Sequence, residues 1–199
     1  MDSRVARISE QQYRSMMRPD HDQDNMLCVI NEADASEWYA LVCGMDDPYV
    51  GGEFLFKAKL GEDFPMKPPT IGSLTPNGMF VPDGHSICLS IGQFHSNVDR
   101  STHGREYAVG WRPTLGVHGF LRATTFGVMV DWENRSRLSG IRIIDYDKHS
   151  REDVRKMSAN SSSYNRKHYA EIMATFDRFV EEHPDRLAVK TLAASRAQL

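Results

Sequence analysis

The sequence lacks the features that would mark a secreted, metal-bound or membrane-spanning chain. It has three cysteines, Cys28, Cys43 and Cys88, an odd number with no C-x-x-C spacing. That argues for reduced thiols in a cytosol-like compartment and against a zinc site. Its eight histidines are scattered, and neither H-E-x-x-H nor a Cys/His quartet occurs. No apolar run approaches the roughly 20 residues that a membrane span needs, and the N-terminus is too polar for a signal peptide, so a soluble chain is expected. Positive charge is not in surplus: the formal net charge is −3, which gives no sign of nucleic-acid binding. Repeats are missing, and low complexity is confined to Ser161 to Ser163.

What is present is ordinary for a globular protein, with 40% hydrophobic and 26% charged residues. A chain of 199 residues is expected to form one domain that buries about two-thirds of its unfolded surface without disulfides or metals. The stretch that organises it runs from Pro65 to Ile91. Pro65, Pro68 and Pro69 forbid helix, Thr70 to Leu74 can make one short strand, and Thr75 to Ser86 is a long Pro/Gly/Asn/Asp loop. That loop delivers Cys88. Unpaired cysteines are more often small hydrophobes buried in regular elements, the reading that suits Cys28 and Cys43.

Val5, Ile8, Gln12, Tyr13, Met16 and Met17 fall near helical spacing, so residues 4 to 17 read as an amphipathic helix with Arg4, Arg7, Arg14 and Arg18 on its other face. Such a basic face is ordinarily solvated; docking of an acidic partner is the alternative. Strands are predicted at Met26 to Glu32, Trp38 to Cys43 and Glu53 to Leu60, and short turns between them imply an antiparallel meander completed by Thr70 to Leu74. Phe54, Phe56 and Ala58 alternate as one buried face, and Gly51-Gly52 fits a tight turn. Residues 96 to 110 form a polar loop without periodicity. Leu115 to Val130 reads as a helix weakened by Gly116, Gly119 and Gly127. The segment from Asp131 to Ser150 reads equally as strand or irregular chain. A short helix over Arg151 to Ala159 and a longer one over Tyr164 to His183, stopped by Pro184, follow. A single domain is thus placed at 1–184, with 185–199 as a C-terminal tail, either a loosely held helix or a frayed end.

This order of elements resembles the ubiquitin-conjugating enzyme family, and the residues make the match specific. EWYALVCGMDDPYVGGEFLFKAKLGEDFPMKPPTI is similar to the family's W-x-x-x-I-x-G-P-x-x-T-P-Y-x-G-G-x-F-x-x-x-I-x-F-P-x-x-Y-P-x-x-P-P, with Met45 for Pro and Asp47 for Thr. HSICLSI resembles the active-site segment G-x-I-C-L-x-I, and WRPTLGV resembles W-S-P-A-x-x-I. The family's usual His-Pro-Asn is absent. In its place stands TPNGMF, similar to the T-P-N-G-R-F of the branch that works in endoplasmic-reticulum-associated degradation. GQFHSN resembles that branch's S-x-F-H-P, and SANSSSYNRKHYAEIMATFDRFVEEHP its C-terminal helix. The resemblance covers about residues 4 to 184. It implies an α/β (α+β) ubiquitin-conjugating fold: an N-terminal helix, a four-stranded antiparallel meander, an active-site loop and C-terminal helices. Members of that branch carry a C-terminal membrane anchor. The expected location is cytoplasmic, or the cytosolic face of the endoplasmic reticulum if an anchor has been removed.

By this resemblance Cys88 is the nucleophile that accepts ubiquitin as a thioester from an activating enzyme and passes it to a lysine of a substrate protein, with no cofactor. A thiol near pKa 8.5 is far more available at neutral pH than a lysine near 10.4. Asn77 has two readings: an oxyanion donor, worth about 3 kcal/mol in such sites, or a turn residue of an Asn-Gly pair. His95 matches the branch's F-H-P histidine and is expected near the thioester. His85 could lower the thiol pKa if charged, although a loop histidine is more often solvated. Asp131 and Glu133 occupy the region where many members have an acidic residue that orients or deprotonates the lysine; a solvated carboxylate is the other reading. Met66, Lys67, Arg112 and Pro113 form the expected patch for a RING-type ligase. An exposed Met66 would support docking, and a buried one would mean packing. Relative to the branch, about a dozen residues look inserted between Ser96 and Gly110, and a flap over the active site is expected there. Alternatives within and beyond the class are a conjugating enzyme for another ubiquitin-like modifier, a noncatalytic ubiquitin-binding scaffold, and a Cys/His hydrolase built on Cys88 and His95.

Overall fold

A computed structural model describes residues 3–18, 25–85, 87, 111–130, 132 and 148–198. Cys88, His95, Asp131, Glu133, the 96–110 loop and most of the segment from 131 to 150 lie outside the described residues. Helix α1 (Ser3–Met16) precedes four strands, β1 (Met26–Asn31), β2 (Asp34–Val42), β3 (Phe54–Lys59) and β4 (Thr70–Ser73). These pair antiparallel in the order β1-β2-β3-β4. A short 3-10 turn (Pro113–Leu115), α2 (Gly116–Thr124), α3 (Phe126–Met129), α4 (Arg151–His168), α5 (Ala170–Glu182) and α6 (Leu187–Arg196) complete the described chain. The expected fold class, with its N-terminal helix, four-stranded meander and C-terminal helices, is the one observed.

The sheet is buried on both faces, which explains why β1 reads MLCVI without alternation. On one face Cys28, Trp38, Ala40, Phe54, Phe56 and Ala58 pack with Val5 and Met16 of α1 and with Val117, Phe120 and Leu121 of α2. On the other, Leu27, Val29, Leu41 and Leu55 meet Met173, Phe176 and Phe179 of α5 and Ala188, Val189 and Leu192 of α6. Residues beyond Pro184 are therefore core-forming: Leu187–Arg196 is a helix whose apolar side is buried. Helix α1 is also pinned by polar contacts, since buried Ser9 donates to Ala35 O at 2.5 Å and accepts from Trp38 Nε1 at 2.8 Å.

Two helix boundaries differ from expectation. The helix after Trp111 breaks at Thr125, not at a glycine: Thr124 and Thr125 both turn their hydroxyls back on carbonyls one turn earlier, those of Phe120 at 2.7 Å and Leu121 at 2.8 Å. Back-bonding of this kind competes with the ladder and bends helices. Further on, α4 runs unbroken through the serine cluster, and the break falls at Tyr169 (φ −135, ψ 42). Ser158, Ser161 and Ser163 satisfy their hydroxyls on helix carbonyls, and a Ser150/Asp153 capping box starts the helix.

Candidate active site

The loop leading to Cys88 is held by polar groups without access to solvent. Beyond β4, Leu74 N donates to Leu55 O at 2.9 Å, and Leu55 N donates to Thr75 Oγ1 at 2.8 Å. Asn77 is fully buried. Its Oδ1 accepts from Met79 N at 2.9 Å and Phe80 N at 2.8 Å, while Nδ2 donates to Ser73 Oγ at 2.9 Å and Thr75 O at 3.1 Å. Both amide protons and the carbonyl are thus spent within its own turn, an Asx geometry. Gly78 follows with φ +71, and a Cβ there would lie 2.4 Å from Val154 Cγ2 of α4, so only glycine allows this turn to sit against the helix.

The chain then folds back along β4. Gly84 N donates to Ser73 O at 2.9 Å and Ile87 N to Ile71 O at 2.6 Å. Gly72 makes this approach possible, because a Cβ on it would stand 2.4 Å from Gly84 O. Ile87, the residue before Cys88, is buried in the core. His85 is exposed, and its backbone N–H donates to Asp83 Oδ1 at 2.8 Å, which suits the solvated reading.

The patch assigned to a ligase comes together. Met66 is 74% exposed, and Lys67, Arg112 and Pro113 are exposed as well. Trp111 joins the two loops: its Nε1 donates to Pro65 O at 2.8 Å, and its ring lies against Phe64 and, edge-on, Phe120. Lys67 Nζ lies 2.6 Å from Asp63 Oδ2; the hydrogen bond raises the lysine pKa and lowers that of the carboxylate.

Sequence reasoning missed a second set of buried polar residues behind the loop: Glu53, Ser161 and Asn165, all buried, and Arg196, which reaches in from α6. Asp47, by sequence, is a departure from the family pattern. In the structure Asp47 is an anchor for α4, paired with Arg151 and with Arg155. The signal available in the sequence was the pair of arginines one helical turn apart that opens α4. Among the described residues no cluster of His, Cys, Asp or Glu is arranged to hold a metal ion.

The ubiquitin-conjugating enzyme family model matches residues 9–122, from the middle of α1 to the last turn of α2. The chain belongs to the ubiquitin-conjugating enzyme family. Among similar proteins, Ubiquitin-conjugating enzyme E2 6 of Saccharomyces cerevisiae is 27% identical over 163 residues, covering 81% of this chain and 56% of the relative. Ubiquitin-conjugating enzyme E2 J2 of Homo sapiens is 30% identical over 163 residues, covering 81% of this chain and 54% of the relative. The chain spans about half the length of these curated relatives. They belong to the branch that the T-P-N-G segment pointed to. Among the described residues no helix is long and apolar enough to cross a membrane.

Proposed function

We propose that this family member conjugates ubiquitin through Cys88. The Cys88 thiolate attacks the carbonyl of a ubiquitin thioester on the activating enzyme and expels that enzyme's thiolate. A neutral substrate lysine then attacks the new thioester: the isopeptide N–C bond forms, the C–S bond breaks, and the amine's surplus proton leaves with solvent or a base. The observation that carries the reading is the family match over residues 9–122. The buried Asn77 turn and the docked Ile87 support it, because they give the approach to Cys88 a fixed course. Asn77 acts here by holding that course. His95 is assigned to the surroundings of the thioester and Asp131 to the incoming lysine, both on the resemblance to family motifs. A RING-type ligase docks on Met66, Lys67, Arg112 and Pro113. Work at the cytosolic face of the endoplasmic reticulum is part of the proposal, on the strength of the E2 6 and E2 J2 relatives.

The test is incubation with activating enzyme, ATP and ubiquitin or a ubiquitin-like modifier, followed by non-reducing gels. A thiol-sensitive adduct with ubiquitin that disappears in Cys88→Ala is expected. An adduct with a different modifier only would change the substrate; no adduct at all would favour a scaffold, and cleavage of a ubiquitin chain a hydrolase.

A further inference from the structure

The buried polar residues behind the loop form one connected path from the C-terminal helices to the turn before Cys88. Arg196 of α6 grips the buried Glu53 carboxylate with Nε to Oε1 at 2.7 Å and Nη2 to Oε2 at 3.1 Å. The backbone of Glu53 is held by α4, with Glu53 N donating to Ser161 Oγ at 2.8 Å and Glu53 O accepting from Asn165 Nδ2 at 2.8 Å. Asn165 Oδ1 accepts from Thr75 Oγ1 at 2.5 Å. Thr75 O in turn accepts from Asn77 Nδ2 at 3.1 Å and from Ser73 Oγ at 3.1 Å.

The direction of these bonds is forced. The Glu53 carbonyl can only accept, so Asn165 turns Nδ2 toward it and Oδ1 toward Thr75; the single hydroxyl proton of Thr75 is then donated to Oδ1, while a lone pair of Oγ1 accepts from Leu55 N–H. Asn165, Thr75, Ser73 and Asn77 are all fully buried, where a lost partner leaves a desolvated group unpaired. Elsewhere α4 touches the same loop by packing, with Val154 against Gly78, and Tyr169 Oη donates to Leu74 O at 3.3 Å.

We infer that Asn165 is a positioning residue for the thioester chemistry: through Thr75 it sets the Asn77 turn, and with it the placement of the chain that carries Cys88. The inference rests on the conjugating function proposed above. The dry hydrogen bond between this asparagine and threonine, 90 residues apart, ties two residues that each also satisfy a buried backbone group, Glu53 O and Leu55 N–H.

The test compares Asn165→Ala and Thr75→Val, which remove the bond, with Thr75→Ser, which keeps the hydroxyl. Met173→Ala is the control for lost stability, since Met173 is an apolar residue of the α5–α6 core cluster and not a member of the polar path. Discharge of the Cys88 thioester onto free lysine is measured at saturating and limiting lysine, beside thermal melts. Asn165→Ala and Thr75→Val are expected to slow the maximal rate by about ten- to a hundredfold with KM for lysine within about twofold, and Thr75→Ser to restore it. Rates no lower than those of Met173→Ala at equal melting temperature would overturn the inference. Alkylation of Cys88 by iodoacetamide across a pH series, read without activating enzyme, separates the two readings. If the wild type forms no thioester, the function fails, and the inference then stands on an alkylation profile altered in Asn165→Ala and Thr75→Val but not in Thr75→Ser, and falls if all profiles coincide.

Discussion

Arg155 holds the Asp47 carboxylate in a fork, with Nε donating to Oδ1 at 2.6 Å and Nη2 to Oδ2 at 3.0 Å. Arg151 joins from one turn earlier on the same helix. Asp47 stands where the family pattern has threonine, so this departure replaces a short polar side chain by a charged clasp between the β2–β3 connection and α4. Planar, bidentate geometry of this kind is what distinguishes arginine from lysine.

The clasp has a pH signature. Arg155 holds the Asp47 carboxyl below its ordinary 3.8, and Lys67, Ser150 and Arg166 do the same for Asp63, Asp153 and Asp177. Each group takes up a proton more readily in the unfolded chain than in the folded one. The stability they contribute is therefore complete above about pH 4 and lost as the pH falls through the lowered values. A series of thermal melts is expected to show this loss, with a shallower slope in Asp47→Asn.

Removing α6 is expected to destabilise the domain severely. A chain ending at Pro184 leaves the Glu53 carboxylate, fully buried and paired with Arg196, without its cation, and uncovers the seats of Ala188, Val189 and Leu192. Breaking a fully buried pair from one side costs about 3–5 kcal/mol; Arg196 is partly exposed, so Arg196→Ala should cost less than that while still lowering the urea midpoint, and truncation should lower it more.

The three thiols are expected to react on different scales. Cys28 and Cys43 are buried, and burial pushes the Cys28 thiol well above its ordinary value. Since the thiolate is the reactive form, mass spectrometry of native protein treated with iodoacetamide should find both unmodified while the fold holds. Labelling of both should follow denaturation.

Met66→Asp separates docking from folding. The side chain is 74% exposed, so the melting temperature should hold, the change in stability staying within about 0.5 kcal/mol. Loading of Cys88 should also hold, while stimulation of discharge by a RING-type ligase is lost. Equal stimulation of both proteins would remove Met66 from the interface.

How much of this was legible beforehand depended on whether the deciding contacts are local. Helix α1 and the four strands follow from periodicity and turn residues within a few positions of one another, and Met66 could be singled out from its place in the proline loop. Periodicity splits helix α4 at the serine cluster, because Ser158, Ser161 and Ser163 sit in the helix by bonding their hydroxyls to its carbonyls, and Ser158 also reaches Pro48 O. Glu53, Asn165 and Arg196 read as surface residues by type. Their burial is set by partners distant in sequence, and no window of the chain contains both ends of such a bond. Asn77 lay between these cases: the Asn-Gly pair announced a turn, but not that the amide would be consumed by it.

Strand β4 is one of the two outer strands of the sheet, and such a strand offers unpaired backbone groups to any chain able to extend it. Here the outward carbonyls of Ile71 and Ser73 are already taken by the N–H groups of Ile87 and Gly84. The protein therefore shields its edge with the segment that leads to Cys88. A second chain could zip onto β4 only by first lifting Ile87, so resistance to pairing at this edge and the course of the chain through Gly84 and Ile87 are set by the same two hydrogen bonds and would be lost together.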